Sequence, residues 1–456
     1  MFRSTMGCPQ HMAVWSGDRR GQRGIALWKG RRGACRRRRG TDTEPMTDIA
    51  APLPALKRHK PFALFWVMRV ATSGAYLMQS VAIGWQLYDM TGNPLDLGLV
   101  GLVQFVPLVL LAVVVGQIID RYDRRGVARA CQIVKSVCAI VLALGSARGW
   151  LSREVMFIIL LVVGTARAFE TPTLHALVPS LVPPRLLPRA VAASATANQT
   201  AIICGPALGG LIYAFGPATV YVTCAVIFVA ASVLVSLLPR DTRARERRPV
   251  TLDSLFAGFS YVRHHPILLG AISLDLFVVM LSGVTAMLPI YARDVLQTGP
   301  WGLGLLRSAP AVGALVMSVV LAHMAIERRA GLLMFATTAV FALSTVVFAV
   351  STSLALSVAM LAIYGATDAI SVVIRMAMVQ TRTPHDMLGR VMAVNSMCTG
   401  TSGSLGEFRA GVVAAGFGAV TSVLVGGLGA LVVVLAWMRL FPDLARIKSV
   451  APEEQP

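Results

Sequence analysis

The chain has 456 residues, 55% hydrophobic and only 14% charged, with a formal net charge of +20; soluble domains carry about 25% charged residues. With a mean hydropathy of +0.68, this excludes a soluble enzyme built on one core and describes a chain whose solvent is mostly lipid. The cationic excess does not mark a nucleic-acid binder, because the arginines gather in the N-terminal segment and in short loops between apolar runs, and no groove-reading motif accompanies them.

Residues 1–57 form a basic segment, with Arg31, Arg32 and the run Arg36 to Arg39 and no apolar period. Without an apolar h-region it is no signal peptide, and it is expected to stay unstructured. A basic arm on anionic lipid is one reading. Translation starting at Met46 is the simpler and preferred one.

Apolar runs of the length that crosses about 30 Å of hydrocarbon then follow one another. They are expected near 62–88, 95–118, 126–148, 154–178, 188–214, 216–238, 266–291, 301–324, 330–350, 353–381, 388–414 and 416–440. Backbone groups in lipid must bond within their own segment, so these twelve spans are helices. The alternating ten-residue strands of a β-barrel are absent from the pattern. The organisation is a six-helix bundle over 58–238, an Arg-rich linker over 239–262, a second bundle over 263–441 and a tail over 442–456.

Alternate connections carry the cations: Arg121, Arg124, Arg125 and Arg129; Arg185 and Arg189; Arg240 to Arg248; Arg328 and Arg329; Arg382 and Arg390. The other set has only Arg148, Arg153 and Arg293, beside Asp89, Asp96, Glu154 and Asp294. The positive-inside rule then puts both termini and the linker in the cytoplasm, with the chain in the bacterial cytoplasmic membrane.

The halves repeat. Gly164-Thr-Ala-Arg167 aligns with Gly365-Ala-Thr-Asp368, 201 residues later, and without a gap Pro183 falls on Pro384, Arg189 on Arg390, Gly205 on Gly406 and Gly210 on Gly411. Parallel repeats of this kind build transporters with a midplane site between the halves. The seven cysteines show no CxxC spacing and imply neither disulfides nor a metal site; no cofactor is expected. No phosphate-binding loop is present, so an ion gradient rather than ATP is the expected driver.

After the second span the chain reads Gly116-Gln-Ile-Ile-Asp120-Arg121-Tyr-Asp123-Arg124-Arg125. This resembles the signature loop of the major facilitator superfamily, with Ile118 for Leu and Asp123 for Gly. The resemblance implies a conformational latch at Gly116, Asp120, Arg121, Arg124 and Arg125, and an Asp at a helix end suits that role by pairing with nearby Arg or with a facing helix N-terminus. Asp120→Asn is therefore expected to cut transport sharply while membrane abundance stays near wild type; unchanged uptake into vesicles would reduce the loop to a topogenic signal.

In the fifth span, Ala201-Ile-Ile-Cys-Gly205-Pro206-Ala-Leu-Gly209-Gly210 resembles the antiporter motif of the same superfamily, with Ala201 for its first Gly. Gly205, Pro206, Gly209 and Gly210 combine a bend with a surface that lets another helix close in, and the resemblance implies export against protons. Further phrases, Trp85-Gln-Leu-Tyr-Asp89, Ala168-Phe-Glu170-x-Pro172, Leu181-Val-Pro, Gly389-Arg-Val-x-Ala-Val-Asn395 and Leu405-Gly-Glu407-Phe, resemble the enterobactin-exporter-like branch and cover nearly the whole membrane part. Arg409-Ala-Gly stands where that branch continues Glu-Ser-Gly, which puts the role of the second Glu in question.

A charge deep in a lipid-spanning helix costs at least about 2.5–3.5 kcal/mol, so each is a functional candidate. They are Arg69 in the first span, Arg167 and Glu170 in the fourth, Asp275 in the seventh, Asp368 and Arg375 in the tenth, and Glu407 and Arg409 in the eleventh. Lys135 and Arg307 are set aside as near span ends, where long side chains snorkel. Arg167 and Asp368, at equivalent repeat positions, are candidates to pair in one state and part in another. Glu170, Asp275 and Asp368 are the candidate proton carriers, with Asp275 first because no cation lies near it on its own helix.

The expectation is an all-α integral membrane protein of the major facilitator fold. It is expected to export a small organic molecule, siderophore-like or drug-like, by proton antiport, and to work as a monomer in the lipid bilayer without a metal, cofactor or nucleic acid. The alternatives are a nutrient importer of the same fold and a non-transporting scaffold or sensor, which would have little need of charges at midplane depth.

Overall fold

The computed structural model describes residues 59–239, 252–323 and 329–447. The N-terminal basic segment with Met46, the arginines of 240–251, Arg328 and the end of the tail lie outside the described residues, as does the side chain of Asp120.

The described part is helical. The first half holds α1 (Lys60–Thr91), α2 (Pro94–Leu110), α3 (Ala112–Arg121), α4 (Arg124–Arg148), α5 (Arg153–Leu181), α6 (Leu187–Tyr213) and α7 (Pro217–Ser236). After α8 (Leu252–His264) the second half holds α9 (Pro266–Ser282), α10 (Val284–Ile290) running into a π turn at Tyr291–Val295, α11 (Gly299–His323), α12 (Ala330–Val350), α13 (Leu354–Arg382), α14 (His385–Phe417), α15 (Ala419–Leu440) and the short α16 (Pro442–Arg446).

The turns have local causes. Proline opens α1, α2, α7 and α9, where its missing N–H would be unpaired anyway. The Asn93 side chain accepts from the Leu95 N–H at 3.0 Å, and that of Asp123 from the Arg125 N–H at 3.2 Å, so each satisfies a donor at the start of a helix.

Eight spans are long and apolar enough to cross a bilayer by length and composition alone. The other four are α1, the α2–α3 pair, α6 and α14, which are diluted with Gly, Ser, Thr and Asn or broken. Together they make twelve spans in two sets of six, matching the expected segments within a few residues. Lipid-facing stripes explain the composition: Val222, Val226, Val229 and Val233 recur at helical spacing on α7 and are each more than half exposed.

Two spans are not the continuous helices expected. The second breaks at Leu111, just after Pro107 removes a backbone donor. The seventh breaks at Gly283, whose φ of 52° is the left-handed conformation glycine takes freely. That break frees the Leu281 carbonyl, and Arg409 of α14 donates to it at 2.6 Å. Arg409, a candidate because of its depth, thus caps a helix C-terminus inside the membrane, where a cation also suits the helix dipole.

The stretch read as linker contains α8, and the beginning of the tail is packed: Leu444 is fully buried beneath α12, where a Cβ on Gly331 would overlap the Leu444 carbonyl.

The internal repeat is physical. A Cβ on Gly164 of α5 would press on the Gln104 backbone of α2, and one on Gly365 of α13 on the Pro310 backbone of α11. Gly205 of α6 abuts Gly74 of α1, and its counterpart Gly406 of α14 abuts Met280 of α9. Each pair joins equivalent spans of the two halves.

Candidate functional site

The two ends of the bundle differ. One carries Arg121, Arg124, Arg125, Arg185, Arg189, Arg382 and Arg390; the opposite end carries the tight turns at Gly92, Gly149, Gly216 and Gly418.

The halves close on each other toward the opposite end, through two equivalent crossings. On α2 a Cβ at Gly98 would lie 2.9 Å from the Gly411 Cα of α14; on α6 a Cβ at Gly210 would lie 2.9 Å from the Gly304 Cα of α11. Such distances leave room for hydrogen alone. Gly411 also abuts the Pro94 carbonyl and Gly210 the Pro300 carbonyl, so Pro94 and Gly98 play in one crossing the part of Pro300 and Gly304 in the other. The antiporter-like motif is therefore split in function: Gly205 and Gly209 hold α6 to α1, where an added Cβ would lie 3.0 Å from the Gly74 or Met78 carbonyl, while Gly210 meets the other half.

Polar ties reinforce this closure. The Tyr88 hydroxyl donates to Asp294, and Arg293 pairs with Asp89 at 3.0 Å while lying over the Tyr88 ring. Nearer mid-depth, Arg307 donates to the Ser80 hydroxyl at 2.9 Å and Ser308 to the Ile203 carbonyl at 2.7 Å.

Between the halves lies a cavity of about 490 Å³ whose walls include Tyr76, Gln104, Arg167, Pro206, Arg307 and Glu407. An adjoining lobe of about 470 Å³ shares Tyr76 and Arg167 and continues past Arg69, Glu170 and His175 toward the Arg-rich end. The guanidinium of Arg167 lies 4.1 Å over the Tyr76 ring, a cation–π contact that holds it on the cavity wall, where it is exposed. The Tyr76 hydroxyl donates to Gln104. Arg69 is buried, with its Nε unpartnered. Glu407 packs on Gly101 of α2, a position where any side chain would collide with the carboxylate.

Two expectations need correction. Lys135 does not snorkel: it is 1% exposed, its Nζ lies 2.7 Å from both Glu170 oxygens, and it sits 4.6 Å over the Phe228 ring. Thr72 and Gln132 complete the network by donating to Glu170. Arg307 does not reach a span end either; it stands in the cavity wall. Both residues lie well inside their helices, and the cheaper route for the charge is a neighbouring helix rather than the lipid surface.

The choice of Asp275 also loses its basis. Its own helix offers no cation, but Arg375 of α13, 2% exposed, forms an ion pair with it. Glu170 is likewise paired. Among the candidate carriers only Asp368 has neither hydrogen bond nor ion pair among the described residues, and Glu407 shares that condition. Arg167 and Asp368 do not meet in this structure: Arg167 faces the central cavity, and Asp368 faces a small void inside the second half.

In the signature loop, Arg124 donates to the Ala176 carbonyl of α5 at 3.1 Å, and Arg125 to the Leu238 carbonyl at the end of α7. Arg121 is exposed, and a Cβ on Gly116 would meet open space. Sequence reasoning missed Tyr76, which looks like any span aromatic, and had only the mid-helix position as a signal for Lys135.

The chain matches, over residues 50–454, the family model described as transmembrane secretion effector. It is 28% identical to the enterobactin exporter of Citrobacter koseri, over 88% of this chain and 96% of that protein. It is 27% identical to an enterobactin exporter of Escherichia coli over the same shares. Among solved structures, a bacterial homologue of the lysosomal transporter Spinster superposes with a TM-score of 0.66 at 12% identity, covering 85% of this chain and 98% of that one. A bacterial homologue of the iron transporter ferroportin superposes with a TM-score of 0.61 at 18% identity, covering 85% and 99%. These likenesses carry the fold. With the family match running through the whole of the twelve-span unit, the chain belongs to the transmembrane secretion effector family of major facilitator transporters.

Proposed function

We propose that this transporter exports a small organic molecule from the cytoplasm by proton antiport, with the Arg-rich end facing inward. The observation that carries the reading is the cavity between the halves, walled by Arg167, Arg307 and Tyr76 with Glu407 as its carboxylate, and closed by the two glycine crossings at the opposite end. A cavity with that lining favours a substrate that presents both an aromatic face and acceptor oxygens, to stack on Tyr76 and to meet guanidinium forks. The similarity to enterobactin exporters makes a catecholate siderophore the first substrate to try, with drug-like aromatic acids second.

Alternating access would follow from rocking the halves about the cavity, so that the crossings open when the Arg-rich end closes. Glu407 is the carrier favoured by position. It is on the cavity wall, carries no ion pair among the described residues, and can be neutralised by a proton more cheaply than it can cross between environments as an anion. The substrate would compete with that proton for the same wall.

The test is transport in everted membrane vesicles. An imposed inward-acidic gradient should drive accumulation of enterobactin, and adding substrate should release protons. Glu407→Gln should lose accumulation against a gradient and keep downhill exchange. Uptake driven in the reverse sense would favour the nutrient importer. Orientation is checked separately: a reporter active only in the periplasm, fused after Leu238, should be silent, and strong activity there would invert the assignment.

A further inference from the structure

Inside the second half, away from the central cavity, a void of about 10 Å³ lies between α9, α12 and α13. Its walls carry Asp275, Asp368, Ser371, Thr338 and Thr367. A water needs about 10–15 Å³ of such space, so the void admits one small particle and no organic molecule.

The lining selects the charge of that particle. Thr338 donates its hydroxyl hydrogen to the Met334 carbonyl at 2.7 Å, and Thr367 to the Ile363 carbonyl at 2.8 Å. Each oxygen therefore has only lone pairs left for the void. Ser371, 9% exposed, has no hydrogen-bond partner among the described residues and lines the same space. Asp368 has no partner either, and Asp275 is held by Arg375. The site is thus an oxygen cage with two carboxylates against one guanidinium. One negative charge stays uncompensated in a place where an unpaired charge is costly.

We propose that this void is a binding site for one small monovalent cation, with Asp368 and Ser371 as its principal oxygen ligands and sodium as the ion of matching size and charge. Hard oxygen donors suit such an ion. A divalent ion would exceed the missing charge, and among monovalent ions sodium, smaller than a water, fits so tight a void with the least displacement of its walls. The inference goes beyond export by proton antiport, which turns on Glu407 and proton release; this site turns on sodium binding to the resting protein. Because the void ties α9, α12 and α13 together inside the second half, its occupancy would stiffen that half as a unit.

The experiment uses the purified full chain in detergent at pH 8, with unfolding temperature followed against sodium chloride at ionic strength held constant by choline chloride. Equilibrium dialysis of radioactive sodium provides a second readout. Sodium and lithium should raise the unfolding temperature in a saturable way, and potassium should not. Asp368→Asn should weaken sodium binding by tenfold or more, and Ser371→Ala, which keeps the packing, by severalfold. Lowering the pH should displace sodium, since a proton and the ion compete for the Asp368 carboxylate, which faces Asp275 and its partner Arg375. Absence of any sodium dependence in the folded wild-type protein would overturn the proposal, as would sodium binding that survives unchanged in Asp368→Asn. Either result leaves proton release at Glu407 standing or falling on its own assay.

Discussion

Replacing Gly210 by valine should abolish transport. Its Cβ would enter the Pro300 carbonyl and come within 2.9 Å of the Gly304 Cα, and both are backbone atoms that cannot rotate away. Overpacking costs about 1–3 kcal/mol even where side chains can adjust. Here the cost falls only on the state in which α6 and α11 are in contact. A conformational equilibrium moves about tenfold for each 1.4 kcal/mol of such difference, so the closed crossing would be depopulated by about 10- to 100-fold and the cycle would stall with the opposite end open. The measurement is alkylation of Ser80→Cys by an impermeant thiol reagent from the opposite side, in a background without native cysteines. Labelling should rise in Gly210→Val. Gly416→Val is the control: it lies near the same end of α14, its Cβ would meet open space, and transport should stay near wild type. Equal transport in Gly210→Val and wild type would show that this crossing does not need to form during the cycle. Gly98→Val should copy the effect, because the α2–α14 crossing is the same contact built a second time.

The other large effect is expected at Lys135. Lys135→Met removes the ammonium and leaves Glu170, 7% exposed, with only Thr72 and Gln132 as donors. Breaking one side of a buried ion pair costs about 3–5 kcal/mol, whereas replacing both sides with neutral groups of similar volume is often near neutral. Membrane abundance and unfolding temperature should therefore fall steeply in Lys135→Met and recover largely in the double variant Lys135→Met/Glu170→Gln. Thermal unfolding in detergent measures both. If the single variant matches wild type, Glu170 takes up a proton readily on losing its partner and belongs among the carriers again. By the same reasoning the half-exposed pair of Arg153 with the buried Asp96 is a smaller matter, since Arg153 is 43% exposed and its charge is shared with water.

The sequence by itself determined the spans and the doubling. A span is a local property: about 20 apolar residues are needed for about 30 Å of hydrocarbon wherever they occur. The repeat was legible for a related reason. Gly164 and Gly365, Gly205 and Gly406, and Gly210 and Gly411 stand where only hydrogen fits against a neighbouring backbone, so the same residue is required in both halves. Partners for the buried charges were not legible. The cation for Glu170 comes from another helix 35 residues earlier, that for Asp275 from one 100 residues later, and the carbonyl capped by Arg409 lies 128 residues back. A search along the same helix therefore made Asp275 look alone and Lys135 look peripheral. In lipid a charge is stabilised by whichever oxygen or guanidinium the packing of neighbouring helices brings within about 3 Å. That depends on crossing angles and rotations which no single span contains, so only the tertiary structure could separate the paired carboxylates, Glu170 and Asp275, from Asp368 and Glu407, which find no partner among the described residues.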